Sequence, residues 1–179
     1  MKILVVTGSA RPNSVNNSMV EEVKKSLASR EGVEVSVADL SEINLPFMNA
    51  PMPPSQPAYE ITDSAAKSWS EMVTAADGVV FVMPEYNHNL SAIQKNAFDW
   101  LWKEWQQKPA AVVAYGAYAG KHTLEALREM NTVLNLELGD TPATFTLGEA
   151  VGYDGTINDQ EVVDNAITST IDELLTKIR

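Results

Sequence analysis

Met1-Lys2-Ile3-Leu4-Val5-Val6-Thr7-Gly8-Ser9-Ala10-Arg11-Pro12-Asn13-Ser14 opens the chain, and its two halves are of opposite character. Ile3 to Val6 is a continuous apolar run, the pattern of a strand buried on both faces inside a parallel sheet. The loop behind it is polar. It offers hydroxyls from Ser9 and Ser14, the Arg11 guanidinium and the amides of Asn13 and Asn16. Residues 17–29 then place Met19, Val20, Val23 and Leu27 on one helical face, so the loop runs into a helix amino end. Free N–H groups and a partial positive charge there attract anions, and hydroxyls with a guanidinium suit a phosphate. The loop lacks the second glycine and the Lys-Ser/Thr pair of a nucleotide P-loop, and it is not Gly-x-Gly-x-x-Gly. It also reads as an ordinary polar turn capping a helix.

Outward from this stretch, short apolar runs alternate with longer amphipathic ones. Val33 to Val37 alternates apolar and polar residues, as an outer strand does. Residues 44–58 hold five prolines and read as a loop, and residues 63–76 as a helix. Gly78 to Met83 and Ala110 to Tyr115 are two more fully buried strands. An aromatic-rich helix is expected over residues 90–106, a helix over 121–135 and a last strand over Pro142 to Leu147. Asn158-Asp159-Gln160-Glu161 resembles a capping box. Val163, Ile167, Ile171, Leu174 and Ile178 then mark a final helix. Such alternation implies a parallel sheet with helices on both faces. Five strands with a phosphate loop after the first suggest a flavodoxin-like α/β sandwich, order 2-1-3-4-5, as one domain over residues 1–179.

The composition narrows the function classes. The 179 residues include no cysteine, which removes thiol nucleophiles, thiolate metal sites and disulfides together. A formal charge of −11, from 24 acidic and 13 basic residues, repels nucleic acid and anionic membranes alike. The first apolar run is too short for a signal peptide or a membrane span. The chain reads as cytoplasmic, with neither nucleic acid nor membrane as partner.

In an open α/β sheet, ligands bind beyond the carboxyl ends of the strands where the strand order reverses. The loops after strands one, three and four therefore matter most. The third-strand loop is Pro84-Glu85-Tyr86-Asn87-His88-Asn89. Tyr86 offers a flat face and Asn87 both a donor and an acceptor, which suits a planar heterocycle. The alternative is a plain strand-to-helix turn capped by Asn89. His88 is a candidate proton donor or simply a solvated side chain, and His122 carries no reading of its own. In the fourth-strand loop, Gly116, Tyr118 and Gly120 let backbone approach a flat ligand. Phe98, Trp100, Leu101, Trp102 and Trp105 cover more than one face of their expected helix. That favours a subunit interface over core packing. No Ser-His-Asp spacing, metal-ligand cluster or carboxylate pair stands out, so hard chemistry would belong to a cofactor.

Gly8-Ser9-x-Arg11-x-x-Ser14-x-Asn16 resembles the phosphate loop of the NAD(P)H-dependent FMN reductases, a group that includes small quinone, azo and chromate reductases. Pro84-Glu85-Tyr86-Asn87 with Lys95-Asn96-Ala97-x-Asp99-Trp100 resembles that family's second signature. The resemblance implies FMN held at its phosphate by Ser9, Arg11, Ser14 and Asn16. It implies a ring lined by Pro84, Glu85, Tyr86 and Asn87 and flanked by Gly116, Tyr118 and Gly120, with no obligatory catalytic side chain. It implies NADPH or NADH as electron donor, a flat small-molecule acceptor reduced in a ping-pong cycle, and a homodimer or homotetramer. The loop of Phe47, Met48 and Met52 would then lean over a neighbour's flavin. Where the family often has Gly-Gly, this chain has Ala119-Gly120. The rivals are a flavodoxin-like electron carrier, against which Arg11 weighs, and a flavin-free hydrolase or regulator on the same fold.

Overall fold

The first strand forms where it is expected. In the computed structural model, which describes residues 1–12 and 14–178, β1 spans Lys2–Val6 and is buried from Ile3 onward. Asn13, one of the two amides expected in the first loop, lies outside the described residues. The elements then run α1 (Val15–Ala28), β2 (Glu34–Ala38), α2 (Leu40–Ile43), α3 (Ser64–Ala75), β3 (Gly78–Pro84), α4 (Ala92–Asp99), β4 (Pro109–Gly116), α5 (Lys121–Leu134), β5 (Glu137–Leu138), β6 (Ala143–Thr146) and α6 (Gln160–Lys177).

All strand pairs are parallel, in the order β2-β1-β3-β4-β5, with β6 also on β4. The register sets Ile3 against Val35 on one side and Gly78 on the other. Alternate residues of the central strands feed two cores. Leu4, Val79, Phe81 and Val112 pack with α3, α4 and α5, whereas Ile3, Val5, Val80 and Val113 pack with α1 and α6. Outer strand β2 has one fully buried residue, Ala38, at its end.

The expected last strand forms as β6, and a two-residue strand that was not expected, β5, precedes it. β5 pairs with the start of β4 at Pro109 and β6 with its end, from Val113 to Gly116. Between them the backbone N–H groups of Asp140 and Thr141 donate to the Glu173 carboxylate on α6, at 2.7 and 2.8 Å, instead of to the sheet. Pro142 has no N–H to donate. Partial burial pushes the pKa of Glu173 up, but these donors and Lys177 outweigh it and hold the carboxyl below its ordinary 4.5. A depressed folded value means that the ionised form stabilises the fold above the ordinary value, and the contribution is lost as pH falls through the folded one. Urea midpoints of Glu173→Gln should therefore fall less steeply than wild type between roughly pH 5 and 3.

The aromatic segment departs most from expectation. α4 stops at Asp99, and residues 100–107 turn back so that Trp100, Leu101 and Trp105 point into the same core as Trp69, Phe81 and Phe98. Trp105 is fully buried, with ring centroids 5.3 Å from Phe98 and 5.8 Å from both Trp69 and Phe81. Phe98, Trp100, Leu101 and Trp105 are therefore core and form no interface, because a bend invisible to helical periodicity turns them inward, whereas Trp102 stays half-buried outside that core. Two smaller expectations also shift. Asp159, rather than Asn158, caps α6 by accepting from the Val162 N–H, and Ser91, rather than Asn89, caps α4.

Asn96 and Trp100, from the second signature, hold the proline-rich loop. The Asn96 amide donates to Pro46 O at 2.9 Å and accepts from Met48 N at 2.9 Å, and Trp100 Nε1 donates to Pro46 O at 2.8 Å. Phe47, between these anchors, is left 81% exposed.

Candidate functional site

The carboxyl ends of β1, β3 and β4 open onto a cleft of about 360 Å³. Its edge nearest α1 is the first loop. Gly8 is fixed by its neighbours: its N–H donates to Asn16 Oδ1, and Asn16 Nδ2 donates to Val82 O at the end of β3. A Cβ on Gly8 would lie 2.3 Å from Val82 O and 2.4 Å from Pro84 Cδ, so only glycine lets the loop leave β1 so close to β3. Ser9 is buried, and its hydroxyl lies 2.7 Å from the Tyr86 hydroxyl and accepts from Arg11 N.

Ser14 stands at the N-cap of α1 in extended conformation, where a serine hydroxyl ordinarily accepts from a first-turn N–H. It does not do so here. Its Oγ is buried and has no hydrogen-bond partner among the described residues, although Ser14 lines the cleft beside Arg11. The ordinary capping reading of this loop therefore leaves its cap hydroxyl unexplained, at a cost of about 1–3 kcal/mol for an unpaired buried group. A phosphate at this point would satisfy the hydroxyl, the free N–H groups of α1 and the guanidinium together.

The far wall comes from Pro84, Glu85 and Tyr86 after β3 and from Tyr115, Gly116 and Ala117 after β4. A Cβ on Gly116 would press to 2.8 Å from the Glu85 Cβ, so glycine lets the two loops close on each other. Burial pushes the Tyr115 hydroxyl well above the ordinary phenol range, more than its neighbours Asn16 and Arg11 pull it down. Tyr115 therefore stays neutral and does not oppose an anion. Leu147 and Tyr153, beyond β6, complete the lining. Sequence reasoning named Tyr115 as the strand end that opens the fourth-strand loop without giving it a site role, and it missed Leu147 and Tyr153. The rule that pointed to the other loops, position at a strand's carboxyl end, applies to the segment after β6 as well.

Of the expected site residues, Arg11, Ser14, Pro84, Glu85, Tyr86 and Gly116 line the cleft, and five do not. Asn16 is fully buried with its amide committed to Gly8 and Val82, so it shapes the loop and is not free to donate to a phosphate. Ser9 reaches the cleft only through Tyr86. Asn87 is exposed at the tip of a tight hairpin, with φ 50° followed by 60° at His88. Tyr86 and Asn89 close that hairpin by exchanging backbone bonds at 3.0 Å. Tyr118 is exposed and packs edge-on to His88 and His122. Gly120 is buried at the N-cap of α5, where a Cβ would meet Ala114 Cβ at 2.5 Å. Ala119 and Gly120 have φ of 54° and 68°, the left-handed region that glycine enters freely. This accounts for a glycine pair being suited to that turn, and Ala119 sits there at a cost of about 1–2 kcal/mol.

One grouping of possible ligand side chains is not visible along the chain. Glu85, His88 and His122 bring one potential ligand atom each to within 4.8 Å of one another. Parallel pairing of β3 with β4 places their two loops side by side, a proximity that no spacing along the chain reveals.

The profile of the NADPH-dependent FMN reductases matches residues 1–151. The chain belongs to this family. It is accordingly an FMN- and NAD(P)H-dependent oxidoreductase in type. A relative described as an NAD(P)H-dependent FMN reductase of Saccharomyces cerevisiae is 32% identical over 178 residues, covering 91% of this chain and 93% of its own. An NAD(P)H:quinone oxidoreductase of Solanum tuberosum is 29% identical, covering 90% and 84%. Among solved structures, a flavoenzyme NAD(P)H:(acceptor) oxidoreductase of Paracoccus denitrificans superposes with a TM-score of 0.76 at 21% identity, over 98% of each chain. That likeness concerns the fold. No helix among the described residues is long and apolar enough to cross a membrane.

Proposed function

We propose that residues 1–179 form one FMN-binding domain, and that the FMN phosphate rests on Arg11, Ser14 and the amino end of α1. The flavin ring would lie along Pro84 to Tyr86 and Gly116. The observation that carries this reading is the buried, unpartnered Ser14 hydroxyl beside Arg11 in the mouth of the cleft. FMN held there would supply the redox chemistry, hydride acceptance from NADPH or NADH and two-electron reduction of a quinone or similarly flat acceptor in alternating half-reactions. The chain's own part is to bind, orient and exclude water. Arg11 offsets the strongly acidic field of the molecule at the one place where an anion must approach. Asn16 and Gly8 hold the first loop against β3. Neutral Tyr115 walls the cleft without adding charge. Donor and acceptor using one face of the cleft in turn would give ping-pong kinetics.

The protein works as a homodimer or homotetramer in the cytoplasm in this reading. Exposed Phe47 and Tyr153, each near the mouth of a groove or cleft, supply apolar surface for a second copy.

Anaerobic addition of NADPH to the purified flavin-loaded protein tests the activity. Flavin absorbance near about 450 nm should bleach and return when a quinone is added. Persistent absorbance would instead favour an electron carrier. Arg11→Ala should weaken FMN binding by about 1.5–3 kcal/mol, the worth of a charged hydrogen bond. Unchanged affinity would remove the first loop from the site.

A further inference from the structure

We propose that Glu85, His88 and His122 form a site for a borderline divalent transition ion of the zinc class, set on the rim of the cleft and clipping the loop after β3 to the start of α5. Two imidazoles and one carboxylate are a ligand set that favours zinc, copper or nickel over magnesium or calcium. The three groups come together because each is held separately. The Glu85 carboxylate accepts from His122 N at 3.0 Å, which fixes it against α5. His88 sits in a hairpin whose two central residues are both left-handed, an arrangement that turns its ring back over α5. The imidazoles of His88 and His122 stack with centroids 4.0 Å apart and planes 27° apart.

The potential ligand atoms all lie within 4.8 Å of one another. A tetrahedral zinc ion with bonds near 2.1 Å requires spacings of about 3.4 Å. His88 is exposed, so rotation of its side chain can close that gap without moving backbone. His122 Nδ1 lies 3.3 Å from Glu125 Oε2, the carboxylate–imidazole contact that orients a metal-binding histidine from behind. With the proton on Nδ1, the Nε2 lone pair is free for the ion. The net charge of −11 draws cations to the surface as a whole. Glu85 also lines the cleft, so an occupied site would stiffen one of its walls.

The site depends on no property of the flavin, and calorimetric titration of the flavin-loaded protein with zinc chloride, after chelator treatment, tests it directly. One ion per chain should bind, and His88→Ala and His122→Ala should each weaken binding by more than about tenfold. His88→Ala removes an exposed side chain, so folding does not obscure its result. Absence of binding, or binding that survives both substitutions unchanged, would overturn the proposal, whatever the outcome of the NADPH experiment.

Discussion

Trp105→Ala lowers the unfolding free energy by about 3–5 kcal/mol, the cost of emptying a fully buried indole site. Trp105 touches Trp69, Phe81 and Phe98 at once, and its Nε1 donates to Phe98 O, so no single neighbour can collapse into the gap. Urea denaturation followed by circular dichroism reads the effect as a lowered midpoint. Size-exclusion chromatography of the folded variant should show the wild-type oligomeric state. A loss of unfolding free energy below about 1 kcal/mol together with dissociation would return the aromatic segment to the interface role that its sequence suggested.

Gly8→Ala abolishes retention of FMN through purification and lowers stability by about 1–3 kcal/mol, the usual range for overpacking. The added methyl has nowhere to go: Val82 O, Pro84 Cδ and Gln94 Nε2 all lie within 2.7 Å of its position. The first of these is backbone held in β3, so the loop must give way instead. Displacing it breaks the Gly8 N–H bond to Asn16 and shifts Ser14 and Arg11 away from the amino end of α1. The visible spectrum of the purified variant is the readout. A variant carrying full flavin would show that the loop tolerates displacement and that its close approach to β3 does not set the phosphate site.

Both predictions concern places where sequence and structure stand in different relations. Gly8 was legible as part of a loop suited to a phosphate, because glycine, hydroxyls and a guanidinium between a buried strand and a helix are a local pattern. The reason for glycine there was not, since Val82 and Pro84 belong to another strand. Asn16 illustrates the same limit. Its residue type suits a phosphate, yet its direction is set by Val82 O, and it serves the loop.

What the chain's own patterning settles is the main strands and helices and the end of the sheet that matters. Ile3 to Val6, Gly78 to Met83 and Ala110 to Tyr115 are apolar on both faces because helices cover both faces, and this property is written residue by residue. Alternation with amphipathic segments then implies the parallel order and its switch point. Packing settles the rest. The turn after Asp99 brings Trp100 and Trp105 into one core, and Glu173 captures two N–H groups that a continuous fifth strand would have used. His88 meets His122 only because β3 and β4 are neighbours. Periodicity reports which way a side chain faces relative to its own backbone, whereas its partner depends on chain folded in from elsewhere.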